Sequence, residues 1–431
     1  MAERLLDVRD LSTHFFTYAG VVKAVNGVSF SLDRGQTLGI VGESGSGKTV
    51  TAMSIMRLVP DPPGRIVHGK MDLKVDVDMD VVRTVVDLAQ RDIAAKADLR
   101  GGANSIVLDG QELVLSAQNE DRLTAIVKLL QDKGSHHRLP LQAAAQGPVE
   151  AARDGGVWQR ISVGRTDLVK LTNDEMRVIR GNDIAMIFQD PMTSLNPVFK
   201  VGDQIVEAIR LHQGKSKKEA WLQAAQLLAK VGIPDADKRV RQYPHEFSGG
   251  MRQRAMIAMA ISCNPKILIA DEPTTALDVT IQAQIIEVVK EMQAQYDSGV
   301  ILITHDLGVV AEMSDEIMVM YGGRTVEYGP VDEIFYNPHH PYTWGLLGSL
   351  PRLDLAEKTR LTPIKGSPPD LLLLGGGCPF SGRCGYERPE CKESWPELEI
   401  VGIGHGVHCW IPPEERTVIR SSLPRFKETA A

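Results

Sequence analysis

The chain has 431 residues, of which 43% are hydrophobic, and at about 150 residues per domain this length predicts two or three packed units. A formal net charge of −7, without a long basic run, argues against a nucleic-acid-binding protein. Five cysteines in a chain of this length do not indicate a disulfide framework, because disulfide-rich scaffolds are short exported proteins.

The amino terminus shows no targeting signal. Its first ten residues, MAERLLDVRD, lack the apolar core of a signal peptide. No stretch reaches the roughly 18 apolar residues that a membrane-spanning helix needs. We therefore expect the chain to remain in the cytoplasm.

The run 38–56, LGIVGESGSGKTVTAMSIM, has the order strand, glycine-rich loop, helix that is typical of a P-loop. The spacing GxxxxGK[ST] lets successive backbone N–H groups point at a polyphosphate, and the following helix adds its positive end. Lys48 is predicted to reach the β- and γ-phosphates, and the Thr49 hydroxyl to bind Mg²⁺. A Gly/Ser loop with a chance lysine is the alternative. The predicted nucleotide-binding residues here are Gly42, Ser44, Gly45, Ser46, Gly47, Lys48 and Thr49.

About ninety residues, 72–163, read as a separate small α/β unit. Strand-like and helix-like runs follow the order β-α-β-β-α, which can bury one face of a sheet under two helices. Asp109-Gly110 is a two-residue hairpin signal between the second and third strands. The predicted elements are strand 73–77, helix 79–97, strands 105–108 and 112–116, helix 119–131, a linker 143–152, a turn at Gly155-Gly156 and a last strand 158–163.

Two further strand-like runs end in residues suited to phosphate chemistry. Residues 267–270 are followed by Asp271 and Glu272, and ligands of open α/β sheets bind at this end of the strands. Asp271 would hold Mg²⁺ through its water shell, and Glu272 would orient or deprotonate an attacking water. The apolar run 300–304 precedes His305, which would lie near a γ-phosphate, although a packed or surface histidine is the commoner role.

Four of the five cysteines lie near the carboxyl terminus with the spacing C-x₅-C-x₆-C-x₁₇-C. Four thiolates in such a loop can enclose a [4Fe–4S] cluster or a tetrahedral Zn²⁺, and reduced thiols are the remaining alternative. His405 and His408 are candidate additional donors, with surface positions as the default. Cys263, in an apolar run, is expected to be a small buried residue. The four clustered cysteines are Cys378, Cys384, Cys391 and Cys409.

The run FSGGMRQR, at 247–254, resembles the signature of ATP-binding-cassette (ABC) ATPases, and further motifs of that family are present. The resemblance implies that Gln189 in IFQDP is the Q-loop glutamine, which joins Thr49 and Asp271 around Mg²⁺. It also implies that residues 276–278 form the D-loop and that His305 is the switch histidine. ATP and Mg²⁺ are therefore the expected cofactors.

In that family two cassettes pack head to tail. The resemblance implies that Ser248, Gly249 and Gly250 of one chain cap the ATP held by Lys48 of the other. A hydroxyl, two approachable backbones and a helix amino terminus form an anion site. An aromatic residue before the P-loop stacks on adenine in the family, and Tyr18 is the candidate, with Phe16 as the alternative.

The strings MTSLNP, at 192–197, and NPHHPYTWGLLGSLPRL, at 337–353, resemble the oligopeptide/dipeptide importer ATPases. This resemblance implies an ATP-hydrolysing subunit on the cytoplasmic face of the inner membrane. Its expected partners are membrane permease subunits, a second cassette and, indirectly, a solute-binding protein. Members of the family carry an iron–sulfur cluster in this tail, so iron–sulfur is preferred here over zinc.

In the ABC family a short β-hairpin region joins the P-loop helix to the Q-loop, so residues 72–163 are expected to be an insertion. Its two long runs, KVDVDMDVVRTVVDLAQRDIAAKADLRG and IVLDGQELVLSAQNEDRLTAIVKLLQDKG, resemble about half of a YajQ-like protein, a family associated with nucleotide binding. The insertion is interpreted either as a nucleotide-sensing module or as a structural insertion tolerated at an exposed hairpin.

The expected fold class is α/β: a P-loop ABC cassette, with a RecA-like core and a helical subdomain, an inserted α/β module and a Cys-rich tail. The expected domains are the cassette at 1–71 and 164–330, the module at 72–163 and a carboxyl-terminal region at 331–431. A soluble ABC ATPase of DNA repair or translation is the rival function. It is disfavoured by the single P-loop and the absence of sustained heptads. An importer of nickel or another small solute is a second alternative.

Overall fold

A computed structural model describes residues 3–75, 104–108, 111–115, 151–152, 158–159, 165–190, 194–274, 279–349, 363–423 and 426. For the described residues between 104 and 159, and for Val279 and Thr280, only the backbone is described. Side chains are described for all the others. The strands are β1 (Arg4–Thr17), β2 (Gly20–Asp33), β3 (Thr37–Val41), β4 (Gly64–Lys74), β5 (Asn104–Leu108), β6 (Gln111–Leu115), β7 (Ala151–Ala152), β8 (Trp158–Gln159), β9 (Arg165–Asp167), β10 (Ile184–Ile187), β11 (Ile267–Asp271), β12 (Gly299–Ile303), β13 (Glu316–Tyr321), β14 (Arg324–Pro330), β15 (Glu399–Gly402) and β16 (His405–Val407).

Several helices begin at residues whose side chains cap the helix. Ser216 and Glu219 form a capping box at the start of the helix Lys217–Lys230, which satisfies backbone N–H groups that the helix leaves unpaired. The helices are α1 (Lys48–Ile55), α2 (Asn173–Ile179), α3 (Val201–Gln213), α4 (Lys217–Lys230), α5 (Ala236–Arg239), α6 (Gly249–Ala260), α7 (Val279–Tyr296), α8 (Leu307–Met313), α9 (Val331–Tyr336), α10 (Pro341–Gly348), α11 (Glu390–Glu393) and α12 (Pro413–Ser422).

The main sheet has eight strands in the order β10-β11-β12-β3-β13-β14-β16-β15. Its first five strands run parallel, and every residue of β3, β11 and β12 is buried, as expected for strands covered on both faces. The carboxyl ends of these strands carry the predicted site. The antiparallel strands β15 and β16 from the tail extend the same sheet through β14.

A second sheet, β2-β1-β4-β9, is antiparallel and packs its apolar side chains into the same core as α1. The helices α3, α4 and α6 pack with the other side of β10–β12 in a separate apolar cluster. A third cluster joins β13, α8 and α10 to the cysteine-containing tail. The expected α/β cassette with a helical part is therefore present.

The separate strand predicted at 73–77 is wrong at residues 73–74. The strand expected to open the inserted unit at residue 73 is instead the end of β4, where Leu73 is fully buried and pairs with Leu6 of β1. A buried cassette strand has the same alternation as a strand of a new module, so the pattern alone misplaced it. At the far side, Lys74 pairs with Arg165 of β9.

The predicted hairpin around residues 109–110 is confirmed, because Leu108 pairs with Gln111 in an antiparallel β5–β6 pair. Residues 151–152, expected in a linker, form β7 and pair with β8. The predicted strand 158–163 is described only as β8, Trp158–Gln159. The predicted helices 79–97 and 119–131 and the turn at 155–156 lie outside the described residues.

Candidate functional site

The P-loop joins the end of β3 to α1 through three glycines with positive φ angles. Gly42, Gly45 and Gly47 have φ angles of 155°, 77° and 102°. A Cβ at Gly42 would lie 2.2 Å from the carbonyl oxygen of Met320, and one at Gly47 would lie 2.4 Å from that of Ala24. Only glycine fits at these two positions, so the loop keeps its backbone available to a ligand.

Lys48, the first residue of α1, is buried and turns its ammonium group back into the loop. Its Nζ donates to the carbonyl oxygens of Gly42 at 2.8 Å and Glu43 at 3.0 Å. Burial lowers the pKa of Lys48, while the nearby carboxylates, Glu272 foremost, oppose that shift. A cation in this position suits a polyphosphate ligand.

Thr49 and Asp271 meet at the carboxyl ends of β3 and β11. The Thr49 hydroxyl donates to Asp271 Oδ1 at 3.2 Å, although the two residues are 222 positions apart. Burial raises the pKa of Asp271 to about 6, and the hydrogen bond from Thr49 works against that rise. A hydroxyl and a carboxylate are oxygen ligands of the kind that Mg²⁺ prefers.

The three predicted catalytic residues lie together, with Glu272 between Gln189 and His305. Its φ of 48° places it in the left-handed region, and its backbone N–H donates to Ile303 of β12 at 2.8 Å. Its carboxylate accepts a hydrogen bond from Gln189 Nε2 at 2.9 Å and lies 3.5 Å from His305 Nδ1. A carboxylate held between an amide and an imidazole can orient a water molecule.

The signature residues stand at the start of α6, in the helical part of the chain, whereas the P-loop follows β3. Ser248 is the N-cap residue of α6, and its Oγ accepts a hydrogen bond from the Met251 N–H at 3.3 Å. Gly249 and Gly250 are the first two residues of the helix. The amino terminus of α6 therefore offers N–H groups of the kind that bind anions.

Both candidates for adenine stacking lie near the turn between β1 and β2. Tyr18 is fully exposed in that turn, and Phe16, two residues earlier in β1, is half exposed. Neither ring is committed to the core, so both remain candidates. The predicted D-loop, residues 276–278, lies outside the described residues.

The four clustered cysteines line one narrow cavity beside α10 and are free thiols. Burial raises the pKa of Cys378 and Cys409 to about 12 and that of Cys384 to about 11. Within the described part of the chain, no group of three His, Cys, Asp or Glu side chains is placed so that it could hold a metal ion. The donor chemistry suits a metal, whereas the present spacing of the side chains does not.

The two candidate donor histidines are not surface residues, so that default expectation is wrong. His405 is fully buried, with Nε2 2.9 Å from Glu327 Oε1, because β16 carries it into the main sheet. His408 is half-buried, its ring lies against that of Trp395 at a tilt of 33°, and its Nδ1 is 2.9 Å from the Pro396 carbonyl oxygen. Neither lines the cysteine cavity. Cys263 is buried as expected, and burial raises its pKa to about 11.

Sequence reasoning missed two residues of the carboxyl-terminal region that contact the P-loop, and a third, in β13, that contacts one of them. Arg383 forms an ion pair with Glu43 of the loop, with Nη1 2.5 Å from Oε2. Tyr342 of α10 accepts a hydrogen bond from the Glu43 N–H at 2.8 Å. Tyr321 of β13 in turn accepts one from Arg383 at 2.9 Å. No local pattern signals such contacts across some 300 residues.

Among the described residues, no helix is both long and apolar enough to cross a bilayer. Two apolar side chains shortly after Gln189 are exposed: Val198, at 70% of its surface, and Phe199, at 54%. They directly follow the MTSLNP string at 192–197, whose resemblance to the importer ATPases implies permease subunits as partners. Exposed apolar residues grouped in this way are typical of an interaction surface.

Two family profiles match the chain. The profile described as ABC transporter matches residues 25–165 and 154–275, and the one described as oligopeptide/dipeptide transporter, C-terminal region, matches residues 326–391. Together they span the P-loop, the signature and the first cysteines.

The chain is similar to curated transport proteins over almost its whole length. The oligopeptide transport ATP-binding protein OppD of Bacillus subtilis is 43% identical over 95% of this chain and 89% of that protein. The dipeptide transport ATP-binding protein DppD of the same organism is 43% identical over 95% of each chain. OppD of Salmonella typhimurium is 40% identical over 96% of each. A solved dimer of a bacterial ABC transporter cassette, 18% identical, shares the fold with a TM-score of 0.50 over 76% of this chain and 98% of that one.

Proposed function

Since the chain belongs to the ATP-binding subunits of the oligopeptide/dipeptide ABC transporters, we propose that it hydrolyses ATP to energise peptide import through a separate membrane permease. It acts at the cytoplasmic face of the membrane, together with permease subunits and a second cassette. A solute-binding protein delivers the peptide. The observation that carries this function is the convergence of Gln189, Glu272 and His305 beside the Thr49–Asp271 pair.

In the proposed ATP site, the P-loop backbone from Gly42 to Thr49 surrounds the phosphates and Lys48 exchanges its carbonyl partners for phosphate oxygens. Asp271, Thr49 and Gln189 would hold Mg²⁺. The ion supplies charge compensation on the transferred phosphoryl group. Tyr18, or alternatively Phe16, stacks on the adenine ring.

Glu272 orients or deprotonates the attacking water in this proposal. Gln189 fixes one carboxylate oxygen through its amide, and His305 faces the other. Phosphoryl transfer depends on such positioning more than on covalent chemistry. His305 remains largely exposed, so it can also contact a γ-phosphate.

The site needs a second chain. Ser248, Gly249 and Gly250 are proposed to cap the ATP held by Lys48 of the partner cassette, using the N–H groups at the start of α6. ATP then favours the closed dimer because it contacts both chains only in that state. The closed dimer acts on the permease, and ATP hydrolysis resets the dimer.

Co-purification with the native membrane fraction tests this function. We expect the chain to be recovered with permease subunits, and the complex to hydrolyse MgATP faster when a peptide-loaded solute-binding protein is added. Recovery with ribosomes or DNA and no permease would instead support the soluble ABC rival. Stimulation by nickel or another small solute, but not by peptide, would support the second alternative.

We propose that the inserted α/β module, predicted at 72–163, lies between the end of β4 at Lys74 and the start of β9 at Arg165. The cassette then comprises residues 1–74 and 165–330, and the carboxyl-terminal region residues 331–431. The Lys74–Arg165 pairing supports this division, because the cassette sheet continues directly from one side of the segment to the other. The YajQ-like resemblance offers two roles, nucleotide sensing and structural insertion. Titrating labelled nucleotides, including cyclic dinucleotides, onto the full chain carrying Lys48→Ala separates them. Saturable binding supports sensing, and no binding supports the structural role.

The cysteine-rich tail is proposed to bind a metal centre, with a [4Fe–4S] cluster preferred and Zn²⁺ as the alternative. What supports it is the four thiols lining one buried cavity, with no disulfide among them. Since burial raises the pKa of three of these thiols, metal binding must release protons, and occupancy should rise with pH. Iron and zinc analysis of anaerobically purified protein tests the proposal, and finding neither metal would overturn it.

A further inference from the structure

The P-loop is held from outside by an ion pair with the cysteine-rich tail. The guanidinium of Arg383 bonds both carboxylate oxygens of Glu43, with Nη1 to Oε2 at 2.5 Å and Nη2 to Oε1 at 3.1 Å. The Arg383 side chain is only 9% exposed and that of Glu43 25%. A two-pronged, shielded pair of this kind fixes both distance and orientation.

Arg383 is itself held in place on several sides. Its Nε donates to the Lys365 carbonyl oxygen at 2.9 Å, and Nη2 donates to that of Gly366 at 3.2 Å. Nη1 also donates to the Tyr321 hydroxyl at 2.9 Å. The guanidinium therefore has one defined position, and it transmits that position to Glu43.

Glu43 passes the constraint on to the phosphate-binding lysine. The N–H of Glu43 donates to the Tyr342 hydroxyl at 2.8 Å, and its carbonyl oxygen accepts from Lys48 Nζ at 3.0 Å. The same carbonyl accepts the N–H of Ser46 at 3.2 Å. The side chain, N–H and carbonyl of one loop residue are thus each bonded, so Glu43 fixes the loop backbone, and with it the position of Lys48 before phosphate oxygens replace its carbonyl partners.

The tail places Arg383 through the cysteine stretch. Arg383 ends the short 3₁₀ turn Ser381–Arg383 between Cys378 and Cys384. The Cys384 N–H donates to the Ser381 carbonyl oxygen at 3.1 Å, and the Cys378 N–H donates to that of Cys391 at 2.7 Å. The backbone that arranges the thiols is therefore the backbone that aims the guanidinium.

We propose that Arg383 is a positioning residue for nucleotide binding, which holds the P-loop in its phosphate-binding shape through Glu43. This inference rests on the proposed ATPase function and adds to it a contact that ties ATP affinity to the cysteine-rich tail. Arg383 does not touch the reacting atoms, so its removal alters affinity for MgATP and leaves the rate at saturating ATP almost unchanged.

The test compares Arg383→Gln, Glu43→Gln and the double variant in the full chain. Binding of a fluorescent ATP analogue with Mg²⁺ and the steady-state KM and kcat for ATP are measured. Each single variant is expected to bind about tenfold more weakly, with kcat within about twofold of the parent. The double variant is expected to match the singles, because one interaction is removed in all three. Arg383→Lys should recover part of the affinity, since lysine keeps the charge but not the two-pronged geometry.

Arg388→Gln is the matched control, because Arg388 lies in the same region and its ion-pair partner is Glu415 instead of a P-loop residue. It is expected to bind MgATP like the parent. Unchanged affinity in both single variants, additive losses in the double variant, or a loss confined to kcat would each overturn the proposal. Should Arg383→Gln fail to fold, the Glu43→Gln and Arg383→Lys variants decide the same question. A parent protein that binds no MgATP would contradict the ATPase function itself.

Discussion

The side-chain amide of Gln189 donates a hydrogen bond to the carboxylate of Glu272 at 2.9 Å. Gln189 follows β10 and Glu272 follows β11, and these strands are parallel neighbours in the main sheet. Residues after neighbouring parallel strands emerge at one edge, so the sheet itself brings the pair together. The contact links the segment that carries Val198 and Phe199 to the residue proposed to activate water.

Replacing Glu272 by Gln tests the role of its carboxylate. We expect ATP hydrolysis to fall by about 10²- to 10⁴-fold, the usual contribution of a general base, while ATP binding is retained. Steady-state hydrolysis and equilibrium binding measure the two effects. Glu312→Gln, at an exposed glutamate paired with Lys290, should behave like the parent. Undiminished hydrolysis in Glu272→Gln would show that another group positions the water.

Asp271→Asn should have opposite effects on ligand binding and on stability. Because burial raises the pKa of Asp271 from 3.8 to about 6, its ionised form destabilises the fold at neutral pH. Stability from this group is greatest below pH 3.8 and is lost as pH rises to about 6. At pH 7 the asparagine variant should therefore unfold at a higher temperature, with a free energy of unfolding raised by at most about 3 kcal/mol. It should also lose Mg²⁺-dependent ATP binding.

The same pKa predicts a pH dependence of Mg²⁺ affinity. Below about pH 6, protons compete with Mg²⁺ for the Asp271 carboxylate, so the parent should bind MgATP progressively more weakly as pH falls. Calorimetric titration and thermal unfolding between pH 5 and 8 measure both predictions. Asp237→Asn, at an exposed residue of α5, is the control. A variant that is less stable than the parent at pH 7 would contradict the assigned burial effect.

Ser248→Asp separates the structural and ligand roles of the signature serine. Asp is as good an N-cap as Ser, so α6 and the unfolding temperature should be preserved. A carboxylate facing the γ-phosphate of the partner site repels it, so ATP-dependent dimerisation should weaken by at least about tenfold. Size-exclusion chromatography in the Glu272→Gln background measures dimer formation. Ser216→Asp, at the N-cap of α4, should dimerise normally.

Aromatic substitutions distinguish Tyr18 from Phe16. Base stacking on an aromatic ring is worth about 1–3 kcal/mol, so Tyr18→Ala should weaken ATP binding by roughly tenfold or more, while Tyr18→Trp retains it. Both rings are exposed, and their loss should leave the unfolding temperature nearly unchanged. If Phe16→Ala alone weakens binding, the adenine stacks on Phe16 instead.

The sequence predicted the parts of the site that depend on local geometry. A P-loop glycine has its role because of the backbone within a few residues, and Glu272 follows a strand whose apolar run is visible in the sequence. The pairing of Thr49 with Asp271 then follows from the order of parallel strands. These features need only the motif and the sheet.

Features set by distant packing were not predictable in the same way. The contact between Glu43 and Arg383 joins residues 340 positions apart and depends on how the tail folds onto β13 and α10. The addition of β15 and β16 to the main sheet, and the burial of His405 beside Glu327, arise from the same packing. Leu73 was misassigned because a cassette strand and a strand of a new module share one alternation.

The register of β4 against β9 has a consequence for how such a chain could arise. Lys74 and Arg165 face each other across one ladder, so the backbone leaves and re-enters the sheet at adjacent points. In the topology of this sheet, the segment between them takes the place of the loop that connects β4 to β9. The entropy lost on closing a loop grows only slowly with its length. A single genetic event could therefore add, remove or exchange the intervening ninety residues, and β4 and β9 of the cassette could still pair.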